Sequence, residues 1–123
     1  MKVITWNIRG LNNPRKQQIL ENRLKMEKID ICFIQETKCN MDKMEIISKK
    51  YWNNYKFLII DSQNMMGGIL ILWKPQSVNL LSAEATRHTL SVKMQVIGNT
   101  EEVLCTNVYG PRVLEDKEEC SYT

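Results

Sequence analysis

Apolar and polar positions alternate along the chain in two rhythms. Residues 2–8 (KVITWNI) are β-rich and largely apolar, the pattern of a strand covered on both faces. Gly10-Leu11-Asn12-Asn13-Pro14 interrupts it. Asn13 suits a helix cap and Pro14 a first helical turn. The spacing then predicts a helix over 14–28, with Ile19, Leu20, Leu24 and Met26 as its apolar stripe and Arg15, Lys16, Arg23 and Lys25 on the wet side. Residues 29–35 (IDICFIQ) repeat the buried-strand pattern. Strand, helix and strand in this order make a βαβ unit, so the two strands are expected to be parallel with a right-handed crossover.

Beyond Glu36 the pattern changes. Residues 41–51 predict a short helix with Met41, Met44, Ile47 and Tyr51 inward. Strands are predicted at 56–61, 68–74, 77–83 and 88–97, and Gly98-Asn99-Thr100 turns the chain into a last strand, 103–109. The connections are short, which favours an antiparallel meander beside the parallel pair. The expected fold is α/β, with one mixed sheet of about six strands and two helices on one face. After Gly110-Pro111 the residues resemble a helix start. Neither an internal repeat nor a low-complexity tract interrupts this single domain.

Composition narrows the class without naming a function. The chain has 123 residues, 43% hydrophobic and 25% charged, as expected of a globular domain. A formal net charge of +3 is compatible with a polyanionic partner but does not demand one. No apolar run approaches the roughly 18 residues that span a bilayer. The opening Met1-Lys2-Val3-Ile4-Thr5-Trp6 runs straight into a strand and lacks signal-peptide anatomy. Cys32, Cys39, Cys105 and Cys120 show no C-x-x-C spacing, so free thiols in a reducing compartment are expected. His88 is the one histidine, at the start of a strand, which restricts the available chemistry.

Asn7 and Glu36 each end a strand of the βαβ unit. Parallel neighbours end on the same edge, where open α/β sheets place their ligands. A carboxylate there can bind a hard cation such as Mg²⁺, and an amide beside it can orient that carboxylate or hold a phosphate oxygen. The competing reading is two polar residues at a solvated rim. Tyr109 ends the last strand, where a phenol can donate to a phosphoryl oxygen or simply stand at the interface with water. Lys2, Arg9, Arg15, Lys16, Lys38 and Arg112 could contact phosphates, although Glu21, Glu27, Asp30 and Asp42 are interspersed among them.

Taken together, four motifs stand in register: Thr5-Trp6-Asn7-Ile8-Arg9-Gly10-Leu11-Asn12, Ile34-Gln35-Glu36-Thr37-Lys38, Gly67-Gly68 with Leu72-Trp73, and Asn107-Val108-Tyr109-Gly110-Pro111. Their order resembles the endonuclease/exonuclease/phosphatase superfamily. The first two are most similar to the apurinic-like endonuclease of LINE-type, non-LTR retrotransposons. The resemblance implies half of a four-layer, DNase I-like α/β sandwich. It implies Asn7 as an active-site asparagine, Glu36 as the principal metal ligand with Asn7 beside it, and Tyr109 near the scissile phosphate. Arg9, Lys38 and Arg112 become candidate DNA contacts, Mg²⁺ or Mn²⁺ the cofactor, and DNA the partner in an intracellular, nucleus-compatible setting.

The family's G-D-x-N and S-D-H motifs have no counterpart in the 123 residues, and His88 does not replace the missing histidine. The chain therefore reads as a partial domain, truncated at its C-terminus, that binds metal weakly and does not cut alone. Acid–base groups contribute about 10²- to 10⁴-fold each, so losing several removes most of an enzyme's advantage. A nuclease completed by a second chain and a non-enzymatic nucleic-acid-binding module are the alternatives, and the superfamily's lipid and inositol phosphatases fit the motifs less well. One face of the predicted sheet is expected to lie open and to drive self-association.

Overall fold

The computed structural model describes residues 1–60, 68–86 and 88–108, and the backbone of 117–122. The chain is α/β, as the pattern predicts. Its elements run β1 (Val3–Asn7), α1 (Pro14–Met26), β2 (Ile31–Gln35), α2 (Met41–Tyr51), β3 (Lys56–Ile60), β4 (Ile69–Trp73), β5 (Val78–Ala85), β6 (Thr89–Val96), β7 (Glu102–Val108) and β8 (Lys117–Tyr122). β8 stands where the sequence pattern suggested a helix start.

Both helices begin where side chains can satisfy orphan amides. Asn13 Oδ1 accepts from the Arg15 amide at 2.9 Å and Pro14 occupies the first turn of α1. Asn40 Oδ1 accepts from the Lys43 amide at 2.9 Å and opens α2. The apolar stripe of α1 is narrower than expected: Leu20 and Leu24 are buried, whereas Ile19 and Met26 face water at 42% and 84% exposure. In α2, Met44 and Ile47 point inward and Met41 is exposed.

The strands divide into two four-stranded sheets, ordered β1-β2-β4-β3 and β5-β6-β7-β8, instead of forming one mixed sheet. In the first, β1 and β2 are parallel, and β4 enters antiparallel between β2 and β3. The second is an antiparallel meander. Period-2 alternation explains the layers. Cys32, Ile34, Leu70 and Leu72 point one way, into a core shared with Leu20, Leu24, Met44 and Ile47 of the helices. Ile31, Phe33, Ile69, Ile71 and Trp73 point the other way and meet Leu90, Val92, Met94, Val103 and Cys105 of the second sheet.

That second contact corrects the expectation of an open sheet face. The chain supplies strands to both sheets, so the far side of β2 and β4 is covered from within. Among the described residues, the outward side of the second sheet mixes polar side chains with the exposed Leu104. Ser91 and Thr106 share a hydrogen bond of 2.9 Å there, and Lys93 lies 4.0 Å from Glu102. The uncovered face that was to drive self-association is therefore not found among the described residues. Cys39 is a free thiol, as expected, but Cys105 is disulfide-bonded, contrary to the reading of four free thiols. Among the described residues, no helix is long and apolar enough to cross a membrane.

Candidate functional site

In the β1–β2 register Asn7 stands opposite Gln35, so Glu36 follows one residue beyond the ladder. The parallel pairing brings both chain exits to one edge. There Asn7 Nδ2 donates to Glu36 Oε2. The oxygen of the same amide, Asn7 Oδ1, is buried without a hydrogen-bond partner. A buried acceptor left unpaired beside a carboxylate is costly, and an added cation or donor would relieve it. The donor set is all oxygen, which suits a hard divalent cation. Among the described residues, no group of three or more His, Cys, Asp and Glu side chains comes together in a way that could hold a metal ion.

The two exits are stitched together past the strand ends. The amides of Ile8, Gly10 and Leu11 donate to the carbonyls of Gln35, Glu36 and Thr37 at 3.1, 2.7 and 2.8 Å. Gly10 makes the bend at φ +102°, where an L side chain would be strained. On the opposite side the Glu36 amide donates to the Gly68 carbonyl at 2.9 Å. Lys16 Nζ donates to the carbonyls of Ile8 and Arg9 at 2.8 and 3.0 Å, and Gln17 Nε2 donates to that of Leu11 at 2.8 Å. Asn12 Nδ2 donates to the Lys38 carbonyl at 3.2 Å, and Cys39 Sγ donates to Asn12 Oδ1 at 3.3 Å. Burial pushes the Cys39 thiol above its ordinary range, so it stays protonated as a donor.

Arg9, Glu36 and Lys38 all adopt φ near the left-handed region, at 55°, 55° and 54°. Non-glycine residues seldom do so, and such backbone gathers where surrounding structure over-determines it. The consequence is that charged side chains leave the loops on both sides of the edge. Arg9 and Lys38 are exposed. Lys16 is committed to loop carbonyls, and Lys2, though exposed, pairs with Glu27 at 3.4 Å. Gly68 lies just before β4 with φ +85°. Tyr109, Arg112 and Gly67 lie outside the described residues. His88 is exposed on the β5–β6 connection.

Three residues without an assigned role emerge beneath the edge. Gln35 Nε2 donates to Asn107 Oδ1 at 2.7 Å, and Asn107 Nδ2 donates to Thr5 Oγ1 at 2.9 Å. The signal was present in the alternation of β7, where Val103, Cys105 and Asn107 occupy the inward positions. An amide in that apolar column needed partners, and only the tertiary fold names them.

The endonuclease/exonuclease/phosphatase family model matches residues 4–110. A search of curated proteins finds no match. Among solved structures, the crystal structure of the Xenopus laevis APE2 catalytic domain is similar, with a TM-score of 0.63 and 21% identity. The match covers 92% of this chain and 46% of that one, so the chain spans less than half of the domain it resembles. At that identity the likeness speaks for the fold, a DNase I-like α/β arrangement. With the family model running from β1 through β7, this chain belongs to the endonuclease/exonuclease/phosphatase family.

Proposed function

We propose that the chain is part of a divalent-metal-dependent, phosphodiester-cleaving DNA endonuclease domain of the LINE-type retrotransposon kind, with Glu36 and Asn7 as its metal-binding edge. The observation that carries the reading is the Asn7–Glu36 contact, with Asn7 Oδ1 left buried and unpartnered beside it. Glu36 would hold Mg²⁺ or Mn²⁺ through its carboxylate, and Asn7 would fix that carboxylate's orientation and offer Oδ1. A cation bound there supplies Lewis-acid polarisation of a phosphoryl oxygen. Tyr109 would donate to the phosphate, and Arg9, Lys38 and Arg112 would contact neighbouring phosphates. The exposure of Arg9 and Lys38 beside the edge supports that placement for two of the three.

One carboxylate holds Mg²⁺ weakly, because water and substrate must then fill most of the octahedron. The 123 residues carry neither G-D-x-N nor S-D-H. We therefore read the chain as a partial domain that does not turn over DNA alone and would need those groups from elsewhere. The same exposed Arg9 and Lys38 would serve a binding module without catalysis, the second reading. The two separate on metal. Titrating the chain with Mg²⁺ and following backbone amide shifts is expected to centre the changes on residues 7 and 36. Shifts centred elsewhere would sink the metal-edge reading and leave the binding module.

A further inference from the structure

We infer that Asn107 is a positioning residue for the Asn7–Glu36 pair, acting through Gln35 and Thr5 across the gap between the two sheets. The inference rests on the reading of Asn7 and Glu36 as a metal-binding pair.

Asn107 is fully buried on the inward side of β7, above Cys105 and Val103. It accepts from Gln35 Nε2 at 2.7 Å and donates to Thr5 Oγ1 at 2.9 Å. Both partners belong to the other sheet. Each lies next to one member of the pair. Gln35 immediately precedes Glu36 and stands opposite Asn7 in the β1–β2 register. Thr5 lies two residues before Asn7, so the two side chains share a face of β1. One amide thus grips both strands just below the point where they deliver the site.

Energetics argue that this grip serves geometry more than stability. The layer below is apolar, built from Ile31, Phe33, Ile69, Leu90 and Val92. Hydrophobic side chains of similar size could fill the place of the amides without any cost of desolvation. What they could not do is fix direction, since hydrogen bonds constrain orientation and apolar contacts do not. Direction matters here because Glu36 turns out of β2 with φ 55°, a conformation that persists only when its surroundings hold it. Gly68 holds its amide at 2.9 Å. Asn107 holds the preceding side chain. Partners that orient metal ligands in this way commonly change metal affinity by about 10- to 100-fold.

The test uses the whole chain and begins without metal. The side-chain amide of Asn7, which donates to Glu36, is read by ¹⁵N-resolved NMR in the wild type, in Asn107→Leu and in Thr5→Val. Urea unfolding is recorded for each. Thr5→Val keeps the side chain's shape and removes only the acceptor of Asn107 Nδ2, so it decides the matter if Asn107→Leu does not fold. The expected result is that the Asn7 side-chain signal loses its hydrogen-bonded shift in folded variants, while the amides of Val78 and Val92 stay in place. An unchanged Asn7 signal in a folded variant overturns the inference. Mn²⁺ is then added, and affinity is expected to fall by about tenfold or more. Unchanged affinity in a folded variant also overturns it. A wild type that takes up no Mn²⁺ near Glu36 defeats the metal reading instead, and the metal-free signal of Asn7 then decides the positioning role by itself.

Discussion

Replacing Phe33 by alanine probes the layer that was not foreseen, the contact between the two sheets. Phe33 sits at the middle of β2 with no exposed surface, among Ile31, Ile71 and Trp73 of its own sheet and Leu90, Val92 and Met94 of the other. Truncating a buried phenylalanine removes its transfer energy and leaves a cavity, together costing about 3–5 kcal/mol. Were that face open to water, the same change would fall within about ±0.5 kcal/mol, as exposed positions do. The assay is urea unfolding followed by far-UV circular dichroism and tryptophan fluorescence. Trp73 reports on the inter-sheet core and Trp52 on the core beneath the helices. With a slope of about 1–3 kcal/mol per molar urea, the midpoint should fall by about 1 M or more. Coincident transitions from both probes are needed for that conversion. A fall below about 0.3 M with an unchanged slope would refute the two-sheet packing around Phe33.

Other outcomes follow from the same geometry. Tyr55 is pushed up from 10.0 to about 12, by burial first and then by Asp30 and Cys32, and its hydroxyl donates to the Ile29 carbonyl at 2.6 Å. A raised folded-state value means its contribution is fully present below pH 10 and lost as pH climbs toward 12. Absorbance titration should therefore show a tyrosine ionising late, toward pH 12, and Tyr55→Phe should remove that step; a late step that persists in Tyr55→Phe, or that is missing from the wild type, would contradict it. Gly10→Ala meets no atom within 4 Å, so only the backbone at φ +102° resists it. A loss of about 1–2 kcal/mol is expected in chemical unfolding, and no loss would mean the bend relaxes freely. The chain alone should nick supercoiled or abasic DNA no faster than background in Mg²⁺. Metal-dependent nicking that disappears in Glu36→Ala would show instead that it is self-sufficient.

The βαβ unit was legible because its signals are local. Asn13 and Pro14 open α1, the runs in β1 and β2 are apolar on both faces, and parallel pairing follows from the crossover. That pairing already implied that the exits of β1 and β2, with Asn7 and Glu36, share an edge. The split into two sheets was not legible. Leu90, Val92, Met94, Val103 and Cys105 alternate as a buried face should, yet alternation does not say what lies opposite. Nor does it place β4 between β2 and β3, a pairing set by non-local packing. Ile19 and Met26 misled because hydrophobicity alone cannot tell a stripe's rim from its centre. Lys16, one of the candidate phosphate contacts, turned out to be held by the carbonyls of Ile8 and Arg9, a local tie that charge pattern alone does not show. Asn107 was visible as an inward amide, but its grip on Gln35 and Thr5 spans most of the chain.

The central claim is that the β1–β2 edge is a divalent-metal site built on Glu36. Electron paramagnetic resonance of free Mn²⁺ measures it directly, by counting the ions withdrawn by the wild type and by Glu36→Gln, which keeps the side chain's size and its capacity to accept from Asn7 Nδ2. The account predicts weak but saturable uptake by the wild type that is lost in Glu36→Gln and retained in Asp30→Asn, a carboxylate at the opposite end of β2. Equal uptake by the wild type and Glu36→Gln would contradict it.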